Sequence, residues 1–294
     1  MVTIRVMRHV ADIDDDKAAG GTTMSREAPQ SNAIIEHSFS LKIQEGRWGT
    51  EAAPAESPMM VQRGEDPSIA VIAFKGFGGA LNLSRFEFLA ITGLLSYSRI
   101  LLRDDTRTCY LAGLPPFADD VDGIAALLQE RLRELAPQKT IVIGPSGGSH
   151  AAMLFGHLIG ADYVHAFSPY ANLDPDWSTQ FGDPSDKLRF ADAIERLRDV
   201  PDASRKYYDL RNVLRDWNGK TAYNIHVCAQ SAPDVYRASL IDGLPGVSVH
   251  RHGCGSHRIV TWLAARKQLI PLLRSENQAD VAEIVRGYNE TTVP

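Results

Sequence analysis

Apolar and polar positions along this chain change period repeatedly, and the changes mark out alternating strands and helices. Ser68 to Phe74 is a nearly continuous apolar run ending in Lys75-Gly76-Phe77-Gly78-Gly79, the pattern of a buried strand that feeds a tight loop. Leu81 to Leu95 reads as helix and Ser98 to Arg103 as another strand. From Val121 to Leu135, residues Ile124, Leu127, Leu128, Leu132 and Leu135 fall on one helical stripe. A strand at Thr140–Ile143, a helix at His150–Leu158 and a strand at Tyr163–Phe167 follow. Ala222–Ala229 and Val247–His250 resume the strands, and Ile259–Leu273 is the last packed helix. This alternation predicts an α/β fold, a mostly parallel sheet with helices on both faces.

The alternation is missing at the N-terminus and in one internal stretch. Residues 1–30 mix acidic, Gly, Thr and Ser positions without a period and read as a flexible arm or a loosely attached first strand. Ile34 to Ile43 alternates enough to form a strand, with Pro58–Gln62 as a meander partner. Asn172 to Asn218 is polar and rich in Asp and Arg, with helices expected around Ser185–Leu197 and Ser204–Trp217. The main domain therefore spans 31–275 with 172–218 inserted, and 276–294 forms a polar, weakly attached helical tail.

At 294 residues the chain suits one large α/β domain or two small ones, and a net charge of -5 gives no reason to expect a nucleic-acid partner. Met1 to Val10 is interrupted by Arg5, Arg8 and His9, and no apolar window reaches the length of a membrane span. A soluble, cytoplasmic protein is expected. Cys109, Cys228 and Cys254 are too few and too scattered for a disulfide framework. Cys228, inside an apolar run, reads as a buried free thiol, and Cys254 as a residue that lines the site. No CxxC pair calls for a metal, and no cofactor is expected.

Chemistry concentrates at Gly144-Pro145-Ser146-Gly147-Gly148, between the strand at Thr140 and the following helix. At this glycine content about 0.1 Gly-x-Ser-x-Gly matches arise by chance, so the strand–turn–helix context carries the weight. In that context Ser146 sits on a strained turn, and the next N–H, that of Gly147, can face an oxyanion. A phosphate cradle is the competing reading, weakened by the missing Lys-Ser/Thr ending. A structural turn is the other.

A nucleophilic serine needs a base, and the base needs an acid to hold its tautomer. His257, in the loop Gly253-Cys254-Gly255-Ser256-His257 after a strand, is the first choice, with His252 and His250 as rivals. Asp234 follows the strand that ends at Ala229; Pro-Asp is also ordinary turn chemistry, and Asp242 is a distant rival. Phe77 in the Gly-rich loop is placed to give a second oxyanion N–H. Lys75 is placed to steer an anionic substrate or to pair with a carboxylate. Trp177, Tyr207, Tyr208 and Trp217 are the aromatics of the insertion; Trp177 and Tyr208 are the candidates for substrate contact, although packing is the commoner use.

With these residues in place, the chain from roughly Ile34 to Leu273 resembles the α/β-hydrolase superfamily. The resemblance implies Ser146 as nucleophile, Asp234 as acid, His257 as base, Phe77 and Gly147 as oxyanion donors, and 172–218 as a cap. Lys75 stands where a His usually precedes the oxyanion glycine, and Pro145 precedes the serine, which marks a divergent branch. The expected function is a serine hydrolase that cleaves an ester or thioester of a small-molecule or carrier-bound acyl group through an acyl-enzyme. An acyltransferase using the same triad, or a catalytically silent binding or assembly protein, are the alternatives.

Overall fold

The computed structural model of the chain describes residues 2–4, 39–41, 57–77, 88–181, 191–275 and 278–290. Strands β1 (Val2–Ile4) and β2 (Phe39–Leu41) pair antiparallel in a unit of their own, residues 1–49. The rest of the expected arm, and the start of the helix expected at Leu81, lie outside the described residues.

The second unit is built on a sheet of β3 (Met59–Gln62), β4 (Asp66–Phe74), β5 (Tyr97–Leu102), β6 (Lys139–Pro145), β7 (Tyr163–Phe167), β8 (Ala222–Cys228) and β9 (Val247–His252). The order is β3-β5-β4-β6-β7-β8-β9, parallel throughout except for the edge strand β3. The Pro58–Gln62 strand exists and pairs with β5, Met59 opposite Leu102, while the rest of the Ile34–Ile43 segment beyond Phe39–Leu41 lies outside the described residues.

Period-2 alternation divides each strand between two cores. Ile72, Phe74, Ile100, Leu102, Val142, Val164, Ala166, Tyr223, Ile225 and Val227 face one side, which α2 (Val121–Leu135) and α3 (Gly147–Leu158) cover. Val71, Ala73, Leu101, Ile141, Ile143 and Phe167 face the other. That side is covered by α1 (Leu89–Thr92) and by the helices after β9.

Four helices cross the insertion among the described residues: α4 (Pro175–Phe181), α5 (Ala191–Leu197), α6 (Asp202–Arg205) and α7 (Leu210–Leu214). The single helix expected over Ser204–Trp217 is split because Asp209 is extended and caps α7, accepting from the Arg211 N–H. Leu173, Leu197, Val200, Tyr207, Tyr208, Leu210 and Leu214 are buried in the same cluster as α2 and α3. The segment thus supplies part of the main core. Its polar average hid this, because only the inward side of each short helix is apolar.

After β8 comes α8 (Ala232–Ser239), and after β9 come α9 (Ile259–Ala265), α10 (Leu269–Arg274) and α11 (Gln278–Glu290). The helix expected over Ile259–Leu273 breaks at Lys267, whose φ of 59° is left-handed. Nor is the tail loosely attached: Val281 and Val285 of α11 are buried with Leu263, Leu272 and Leu273.

Candidate active site

The chain leaves β4 toward β5 on one side and returns to β6 on the other, so the loops after β4 and β6 part at the carboxyl edge of the sheet. Such a crevice is where open α/β sheets place their ligands. Here the two loops nearly touch. A Cβ on Gly76 would lie 2.6 Å from the Pro145 carbonyl oxygen, and one on Gly148 would lie 2.7 Å from that of Phe74.

Ser146 occupies the turn from β6 to α3 with φ 52° and ψ -125°, a region that non-glycine residues avoid at a cost of roughly 1–3 kcal/mol. The turn is held by the Ser146 N–H donating to the Phe167 carbonyl at 2.8 Å and by the Ser149 N–H donating to the Ser146 carbonyl at 2.8 Å. Gly144 makes the turn possible, since a Cβ there would lie 2.0 Å from the Gly148 carbonyl oxygen. Gly144→Ala should therefore destabilise the fold by at least about 3 kcal/mol, as overpacking against backbone does. Urea unfolding that leaves the variant within 1 kcal/mol (about the noise of neutral surface changes) would show that the turn relaxes freely.

The three residues singled out for chemistry meet. Ser146 Oγ donates to His257 Nε2 at 2.9 Å, and His257 Nδ1 donates to Asp234 Oδ1 at 2.7 Å; the direction of both bonds follows from the network. Asp234, in the first turn of α8, is fully buried, while His257 is 33% exposed and Ser146 half-buried. Oδ1 of Asp234 carries a second partner, Arg237 Nη1 at 2.8 Å, whose guanidinium lies 4.4 Å from the Tyr170 ring centroid. The Tyr170 and His257 rings in turn meet edge to face, their centroids 6.0 Å apart. Arg237 and Tyr170 did not enter the sequence reading, although Arg237 stands at the i+3 position of Asp234, where a helix places ion pairs.

Gly147 opens α3, where N–H groups lack intrahelical acceptors and the helix dipole favours negative charge. Phe77 lies against it: a Cβ on Gly147 would be 3.2 Å from Phe77 Cε2 and 3.2 Å from Cys109 Sγ. Lys75 is fixed by its backbone, its N–H donating to Leu102 O at 3.0 Å and to Tyr110 Oη at 2.9 Å. Its ammonium pairs with no carboxylate among the described residues. Tyr208 is not brought to this place; it is buried, and its hydroxyl donates to the Leu197 carbonyl. Trp177 is half-buried on α4, its N–H donating to Asp174 Oδ1 at 3.0 Å.

The rival histidines have other partners. His165 Nδ1 lies 3.1 Å from His226 Nε2, His226 Nδ1 lies 3.1 Å from His252 Nε2, and His250 Nε2 lies 2.9 Å from Asn224 Oδ1, all buried on one face of β7–β9. The rival acid Asp242 pairs with Arg251 at 3.6 Å.

The cysteine reading needs correction. Cys228 and Cys254 form a disulfide, leaving Cys109 as a buried free thiol. The parallel register of β8 and β9 sets Cys228 opposite His252 and so brings Cys254 within reach, an adjacency that 26 residues of intervening chain conceal.

No family model matches the chain, and no curated protein does. Among solved structures, the capsule O-acetyltransferase of Neisseria meningitidis serogroup A superposes with a TM-score of 0.53 at 14% identity, over 72% of this chain and 90% of that one. A hydrolase from Oleispira antarctica gives 0.42 at 13% identity, over 74% and 93%, and an α/β hydrolase from a lagoon-sediment metagenome gives 0.44 at 14%, over 71% and 95%. The sheet order, with the superposition on the O-acetyltransferase, gives the chain an α/β-hydrolase-like fold. No helix among the described residues is long and apolar enough to cross a membrane.

Proposed function

We propose that the protein is a serine hydrolase that cleaves an ester or thioester through a covalent acyl-enzyme on Ser146. The observation that carries this reading is the unbroken hydrogen-bonded line from Ser146 through His257 to Asp234, anchored at a left-handed elbow. In the proposed cycle Ser146 Oγ attacks the acyl carbonyl while His257 Nε2 takes its proton. The Gly147 N–H, with that of Phe77, faces the oxygen that gains charge. His257 then returns the proton to the leaving alcohol or thiol, and buried Asp234 holds the imidazolium in place throughout. Water, activated by His257, releases the acid. A hydroxyl acceptor in place of water gives acyl transfer, the second reading, favoured by the O-acetyltransferase among the solved neighbours of the fold.

A fluorophosphonate tests the reading directly, because it needs an activated serine and no particular acyl group. The wild-type chain should be labelled once, on the peptide that contains Ser146, and Ser146→Ala should not be labelled. A folded wild-type chain that stays unlabelled would favour the silent binding protein. Incubation with p-nitrophenyl and thioester acyl donors, with and without alcohol acceptors, then separates hydrolysis from transfer by product.

A further inference from the structure

The loop that carries His257 is short of reasons to hold still. Between the end of β9 at His252 and the start of α9 at Ile259 lie Gly253, Cys254, Gly255, Ser256, His257 and Arg258. Two of the six are glycines, whose backbone entropy in the open state is the largest of any residue. Gly253, Gly255, Ser256 and Arg258 are exposed, so Cys254 and His257 alone turn inward. Cys254 is 6% exposed and is bonded to Cys228, the last residue of β8. From Cys228 the chain runs through Ala229–Ser231 directly into α8 and Asp234. The Ser231 N–H turns back to the Cys228 carbonyl at 3.0 Å, and the Gln230 N–H donates to the Cys254 carbonyl at 3.2 Å. The disulfide therefore joins the base loop to the strand end that delivers the acid, three residues before His257 and six before Asp234.

We infer that the Cys228–Cys254 disulfide is a positioning device for the reaction, holding His257 in line between Asp234 and Ser146, and that full turnover requires it closed. The inference rests on the triad reading above. Besides the disulfide and the Gln230 N–H to the Cys254 carbonyl, the loop meets the rest of the fold at His257: its carbonyl accepts from Ser168 Oγ at 3.0 Å, and its ring meets Asp234 and Ser146. Of these, the bond to Ser146 breaks and re-forms as the imidazole gains and loses a proton, while the backbone contacts of the loop hold it at single points. The disulfide does not change during the cycle. Closing it converts two thiols into one disulfide with loss of two protons and two electrons; an exchange donor of the glutathione-disulfide class takes them and leaves as two thiols. A reducing compartment would keep the pair open and leave the loop without its covalent tie.

The first measurement counts thiols. After incubation with oxidised glutathione and removal of the reagent, the chain denatured without reductant should titrate one thiol, Cys109; three titratable thiols overturn the inference. The second compares the native oxidised enzyme with the same enzyme reduced by a water-soluble phosphine, which with water yields the two thiols and a phosphine oxide. Turnover of an activated ester should fall about tenfold to a hundredfold, the loss that follows from a misplaced catalytic group, with KM changed far less, and should recover on re-oxidation. Cys228→Val/Cys254→Ala should match the reduced enzyme and ignore the phosphine. Wild-type kcat in a reduced, folded chain overturns the inference, and so does loss of the folded circular-dichroism signal in both forms, which would make the bond a global stabiliser. A readout independent of turnover is the low-field proton of the His257–Asp234 hydrogen bond, assigned by its absence in His257→Gln. It should be sharp in the oxidised chain and broadened in the reduced one; a resonance equally sharp in both overturns the inference. Absence of esterase activity in either form would count against the triad reading, while this proton still decides the role of the disulfide.

Discussion

Ser146→Ala, His257→Ala and the double variant should all fall to the same floor, roughly 10^4- to 10^6-fold below wild type in kcat for an activated ester. The equality follows from how the groups act. In the proposed mechanism the serine hydroxyl attacks only as the imidazole accepts its proton, so removing either removes the whole step, and the second deletion finds nothing left to subtract. A residual rate above water is expected from the Gly147 end of α3, which all three variants keep. His252→Ala provides the contrast. It removes a buried ring from the His165–His226–His252 chain and should lower stability by a few kcal/mol, yet leave kcat per folded molecule within about threefold of wild type. Losses that add across Ser146 and His257 would mean two independent contributions and would undo the triad assignment. A dead His252→Ala beside a working His257→Ala would move the base.

What the sequence made legible is local. Apolar runs placed β4 to β9 to within a residue or two, and the 3.6 period placed α2 at its observed bounds. The Ser146 turn was visible because its glycines are dictated by contacts within five residues: Gly144 against Gly148. Asp234 and His257 were visible because each follows a strand and so must reach the carboxyl edge. What stayed hidden depends on register across the sheet. Met59 opposite Leu102 and Cys228 opposite His252 are facts about which residue lies beside which, and no period along one strand encodes them. The insertion was misjudged for a related reason. Its average is polar, while Leu197, Leu210 and Leu214 are placed in the core by helices too short to show a period.

The same register produces the largest stability effect expected of the protein, unfolding on mild acidification. On the sheet face where apolar side chains are the rule, β7, β8 and β9 set His165, His226, His250 and His252 side by side, all buried. Burial first, and then neighbouring imidazoles, push His165 down to about 3, His226 well below the ordinary imidazole range, and His252 to about 4; burial alone takes His250 to about 4. Geometry agrees with that direction. Each contact in the His165–His226–His252 chain needs one proton shared between two rings, which neutral imidazoles supply. An added proton at His252 Nδ1 would meet no acceptor among the described residues. In the unfolded chain each ring titrates near the ordinary value of about 6.5. Between about 6.5 and 4 the unfolded state therefore holds more protons than the folded one, so stability is complete above that window and falls as pH falls through it. The three rings His165, His250 and His252 give a limiting slope of about 4 kcal/mol per pH unit, and by pH 5 a loss of about 6 kcal/mol, to which His226 adds in the same direction, against a total of about 5–15 kcal/mol for an ordinary domain. His150 is left outside this sum, because both its ring nitrogens face carbonyl oxygens, of Tyr170 and Tyr207, and a proton there would gain a bond. Urea unfolding followed from pH 7 to pH 5.5 should show the slope steepening toward uptake of three to four protons (the number of buried neutral rings), with cooperative loss of structure near pH 5. A slope that stays below about 1 kcal/mol per pH unit, less than one proton, would mean that the histidine face opens to water or takes up charge without unfolding. Acid loss of activity by this route removes the folded chain itself and proceeds at the rate of unfolding.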